Sequence, residues 1–73
     1  MYIYKDNEQT KQELKKLLID SNMTAKQVAD IMEVKPQQYN NIVNKKNLSL
    51  SDVAKIAEAT GHLLAIDFIK KDE

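Results

Sequence analysis

Apolar residues recur at helical spacing through most of this chain and switch to alternation near its ends. Leu14, Leu17 and Leu18 keep an i, i+3, i+4 rhythm among charged and polar positions, which predicts an amphipathic helix over Asn7–Ser21. Ser21-Asn22 breaks it. Thr24 and Gln27 stand in capping-box register and open a short second helix, Thr24–Met32, with Val28, Ala29 and Met32 on one side. Glu33-Val34-Lys35 makes a tight turn, and Pro36 suits the first turn of a third helix, Pro36–Asn44, where its missing N–H costs little. Tyr39, Ile42 and Val43 form the inner face of that helix. After the polar loop Asn44-Lys45-Lys46-Asn47, Ser49 and Asp52 start a fourth helix, Leu50–Thr60. Leu50, Val53, Ile56 and Ala57 are expected to face inward, and Gly61 supplies a left-handed stop.

Beyond Gly61 the period changes to two. Leu64, Ile66 and Phe68 alternate with Leu63, Ala65, Asp67 and Ile69, which predicts a strand over His62–Lys70 that is apolar on both faces. The opening Met1-Tyr2-Ile3-Tyr4-Lys5 is aromatic and β-favouring, so a second short strand is expected over Tyr2–Lys5. The fold class that follows is mainly α: one compact four-helix domain over residues 1–73, with a helix-turn-helix and short terminal β-strands. Leaving such an apolar strand exposed at an edge would invite aggregation. Two completions are open. The terminal strands pair within the chain, or Leu63, Leu64, Ile66, Phe68 and Ile69 form the interface of a homodimer.

Composition narrows the chemistry. There is no cysteine, a single histidine (His62) and a single glycine, so zinc fingers, thiol or Ser–His catalysis and glycine-rich phosphate loops are excluded. No catalytic site, metal or cofactor is expected, and no small-molecule substrate is evident. The longest fully apolar run, Leu63-Leu64-Ala65-Ile66, is too short to span a membrane, and no secretory leader is apparent, so a cytoplasmic location is expected. Asp30 and Glu33 lie three apart with no plausible partner base, and solvated charge is the better reading for them.

Net charge is zero, which gives no global reason to expect a nucleic acid, but the average conceals a local excess. Between Val34 and Asn47 stand three lysines and no acid. The same stretch is rich in Gln and Asn, whose side-chain amides can bond bidentately to adenine N6 and N7. Gln37, Gln38 and Asn41 are the candidate base readers. Lys35, Asn40, Asn44, Lys45, Lys46, Asn47 and Ser49 are the candidate contacts to the DNA backbone. The arrangement as a whole is that of a helix-turn-helix, with Ala29 as the small residue at the helix crossing and Val34 as the buried turn residue.

From Leu14 to Ala59 the chain resembles the phage Cro/repressor-type, or xenobiotic-response-element (XRE)-type, helix-turn-helix family. The resemblance is carried by Met23-Thr24-Ala25-Lys26-Gln27-Val28-Ala29-Asp30-Ile31-Met32, by Val34 through Asn44, by Asn47-Leu48-Ser49-Leu50-Ser51 and by Lys55-Ile56-Ala57-Glu58-Ala59. It implies a helical DNA-binding domain that acts as a dimer in transcriptional repression. It also implies that Lys35, Pro36, Gln37 and Gln38 begin the recognition helix and that Asn41 lies on its second base-facing turn. The chain departs from the family pattern with Glu33 in place of a turn glycine and Ala25 in place of a phosphate-binding glutamine. Pro36 replaces a base-reading side chain, Lys45 replaces a glycine after the helix, and a strand is expected in place of the last helix.

The expected partner is therefore double-stranded DNA, with an A·T-leaning operator because arginine, the usual guanine reader, is absent. The alternative is a protein-interaction module on the same scaffold, antitoxin-like or anti-repressor, with little DNA affinity. Neutral charge and the outward-facing Ile19 and Ile31 favour that alternative.

Overall fold

Four α-helices, α1 (Asn7–Asp20), α2 (Ala25–Ile31), α3 (Pro36–Val43) and α4 (Leu50–Ala59), make up the fold in a computed structural model that describes residues 2–72. Local side-chain chemistry sets most of the helix starts. The Asp6 carboxylate accepts the Gln9 N–H at 2.9 Å and opens α1. Thr24 and Gln27 form a reciprocal capping box at α2, as do Ser49 and Asp52 at α4.

Three of the four helices stop in the same way, with a left-handed residue followed by a paired return of two amides. At the end of α4, Gly61 has φ 79° and donates to the Glu58 carbonyl at 3.0 Å, while His62 donates to Ala57 at 2.8 Å. Asn22 (φ 55°) ends α1 with the Met23 N–H on Leu18 at 3.0 Å. Glu33 (φ 60°) ends α2 with the Val34 N–H on Ala29 at 3.0 Å. Asparagine tolerates this conformation through its short polar side chain. Glutamate has no such relief, so the helix-turn-helix corner is strained by about 1–2 kcal/mol.

The core is small and continuous. Leu14 of α1, Val28 and Ala29 of α2, Tyr39 of α3, and Ile56 and Ala59 of α4 are buried together, with Val28 and Ile56 wholly sealed from solvent. Each of those two contributes about 1.5–3 kcal/mol by burial. Ala29 at the α2–α3 crossing has no exposed surface, and only a methyl there lets the two backbones approach. Val34 packs against this core from the turn, as do Ile42 and Val43.

Two expectations are corrected. There is no β-strand among the described residues: Tyr2–Lys5 and His62–Lys70 have no regular secondary structure (Met1 lies outside the described residues). Alternation of side chains does not make a strand without a ladder partner, and neither segment finds one. The residues beyond α4 are exposed throughout, and the molecule measures 46 × 24 × 18 Å. The second correction is Leu50, which is 64% exposed and not on the inner face of α4. As the first residue of the helix it precedes the turn that packs on the core. No helix among the described residues is long and apolar enough to cross a membrane.

Candidate nucleic-acid interface

The outer surface of α3 is built from uncharged amides held on a rigid base. Tyr39, Ile42 and Val43 fix one side of the helix to the core, so the intervening Gln37, Asn40, Asn41 and Asn44 are turned to solvent, and all four are exposed. None of these four side chains is engaged in a hydrogen bond among the described residues, and both the donor and the acceptor of each amide are free. Burial holds the Tyr39 hydroxyl above its ordinary titration range, which keeps it neutral at any physiological pH.

Gln38 differs from its neighbours. Its Oε1 accepts the Lys35 backbone N–H at 2.9 Å, closing the first turn of α3 from the third helical position. Lysine has no acceptor with which to return the bond, so the box has only this half. The carbonyl oxygen that a bidentate contact to adenine would use thus already accepts one bond, with one lone pair and both Nε2 donors left over. Pro36 sits at the first helical position, where it leaves one fewer amide to satisfy.

The candidate backbone contacts divide in the same manner. Lys35 and Lys46 are exposed and make no ion pair among the described residues. Lys45 Nζ instead meets Asp52 Oδ2 at 2.9 Å. The Lys45 ammonium beside it, followed by hydrogen bonds from Ser49, holds the Asp52 carboxyl below its ordinary range in spite of some desolvation. Ser49 Oγ is occupied by the Asp52 N–H at 3.0 Å. With a carboxylate already seated at the start of α4, an incoming phosphate meets repulsion there. The local charge of the loop is accordingly less positive than its lysines alone suggest.

One contributor was missed in the sequence. Asn7 Nδ2, at the start of α1, donates to the Lys46 carbonyl at 2.6 Å and reaches the Asn47 side-chain oxygen at 3.4 Å. It ties the loop after α3 to the first helix and holds the backbone of Lys46 and Asn47 in place. Nothing local marks Asn7 for this, because its partners lie some forty positions away. The candidate interface residues Leu63, Leu64, Ile66, Phe68 and Ile69 are all exposed, from 38% at Leu64 to 94% at Phe68.

The comparisons agree with this geometry. The sequence model of a family described as helix-turn-helix matches residues 14–63, the span from the core residue of α1 to just beyond the end of α4. No curated protein and no solved structure matches the chain.

Proposed function

Because the chain belongs to the XRE-type helix-turn-helix family, whose members are DNA-binding transcription regulators, we propose that it is a sequence-specific repressor that binds its operator as a homodimer. In this reading α3 enters the major groove. Gln37 and Asn41 read base edges, Lys35 and Lys46 hold phosphates, and Gln38 fixes the helix start from which the readers project. The carrying observation is the row of free amides on α3, backed by a sealed core and bearing no acid. Amide readers without arginine favour A·T pairs.

Homodimerisation is supported by the tail. Leu63, Ile66, Phe68 and Ile69 present a run of apolar surface that a small monomer has no use for. A second copy covering it would set two α3 helices against half-sites about 34 Å apart. Titration of a labelled A·T-rich duplex by anisotropy at low and moderate salt tests the reading. Binding that weakens steeply with salt supports it, and absence of binding at low salt contradicts it.

A protein-interaction module, antitoxin-like or anti-repressor, is the competing reading. One observation favours it: a cleft of about 380 Å³ on the α4 flank, with Ile31, Met32, Val34 and Ile42 among its lining residues. The same titration separates the two, since such a module has no need of phosphate contacts.

A further inference from the structure

The two flanks of α3 differ in charge. On the α4 side the cleft beneath Ile31 is lined by Asp52, Glu58 and Lys55, and Asp52 is already paired with Lys45 at 2.9 Å, so that flank carries no excess charge. On the α1 side a second cleft, of about 260 Å³, lies between α1 and the later part of α3. There Lys11 and Lys15 stand against Glu8, which leaves one ammonium in excess.

Lys11 and Lys15 are four residues apart, and so project from one face of α1. Lys16, next along, is drawn off to Glu13 at 3.8 Å, whereas Lys11 and Lys15 form no ion pair among the described residues. Across the cleft stand Asn40 and Asn44, again four apart, with both amides free. Two lysines and two asparagines therefore line one open space. An ammonium is a point charge without the planar fork that reads a base edge, so this donor set suits an anionic oxygen. Its place agrees, because Asn40 and Asn44 flank Asn41, where the edge of the groove would pass.

We propose that the α1–α3 cleft binds a phosphate of the DNA backbone, with Lys11 and Lys15 as its cations and Asn40 and Asn44 as neutral donors. This rests on the major-groove reading above and adds α1 to the interface. The phosphate-bearing strand then passes α3 on the α1 side, and the charge-balanced α4 flank faces away from it. Glu8 at the cleft opposes binding.

The test uses the intact chain and two duplexes of equal length, one A·T-rich and one mixed, titrated by anisotropy between about 50 and 200 mM salt. K11Q/K15Q is expected to flatten the slope of log affinity against log salt by about one unit, for the one phosphate lost, equally on both duplexes. The charge-matched control K16Q/K55Q is expected to leave the slope near that of the wild type. E8Q, which removes the opposing carboxylate, is expected to tighten binding several-fold on both. An unchanged slope in K11Q/K15Q, an equal drop in the control, or no gain in E8Q overturns the cleft while leaving the major-groove reading standing. A wild-type chain that binds neither duplex at low salt overturns both.

Discussion

Gln38 Oε1 accepts the Lys35 backbone N–H at 2.9 Å, a bond that closes the first turn of α3. The bond fixes the side chain at the helix start and leaves one lone pair of that oxygen for another donor. Gln38→Ala is therefore expected to cost about 0.5–1 kcal/mol of folding stability, and to weaken DNA binding to a similar extent on every sequence. Gln37→Ala, which leaves the cap intact, is expected to relax preference at one position of the half-site with stability unchanged. Denaturation midpoints together with affinities for matched and mismatched duplexes separate the two. Loss of discrimination in Gln38→Ala at full stability would reverse the assignment.

Asp52 carries a pH dependence of known sign. Its carboxyl is held below the ordinary range chiefly by the hydrogen bond from Lys45. A folded-state value lower than the unfolded one gives stability that is fully present above the unfolded value, near pH 4, and is lost as pH falls through the folded one. Urea midpoints of the wild type and Asp52→Asn, followed from pH 7 down to about pH 2, should converge as the acid is protonated. A constant gap between the two would contradict this linkage.

Glu33 occupies a backbone position that glycine fills without strain. Glu33→Gly relieves a φ of 60° at the α2–α3 corner and loses some unfolded-state restriction in exchange. The balance is expected to stabilise the chain by roughly 0.5–1 kcal/mol, a rise of several degrees in melting temperature for a domain of this size. Calorimetry checks it. A drop in melting temperature would mean that the Glu33 side chain contributes something its geometry does not reveal.

These residues also mark how far the sequence carries. The capping boxes at Thr24 and Ser49 and the stop at Gly61 were legible because each is settled by residues within four positions. The departure at Glu33 was legible only through the family resemblance, which puts a glycine at that turn; its φ of 60° comes from the structure. The Lys35–Gln38 half-cap had the same local signal, a glutamine at the third helical position, and was obscured by its fitness as a base reader. The terminal strands failed for a different reason. Alternation at Leu63–Ile69 reports two apolar faces, but pairing is decided by whether another segment comes alongside, and none does among the described residues. Lys45, Asn7 and the Lys11–Lys15 pair take their meaning from partners on other elements, which spacing along one helix does not reveal.

The central claim, that α3 reads bases in the major groove, is tested most directly by selection of bound duplexes from a random pool by the intact chain at moderate salt. The account predicts enrichment of a two-fold-related, A·T-leaning pair of half-sites whose centres lie about one helical turn apart, and loss of that enrichment in Gln37→Ala/Asn41→Ala. A pool that emerges unenriched, or enriched identically by the double variant, would contradict it.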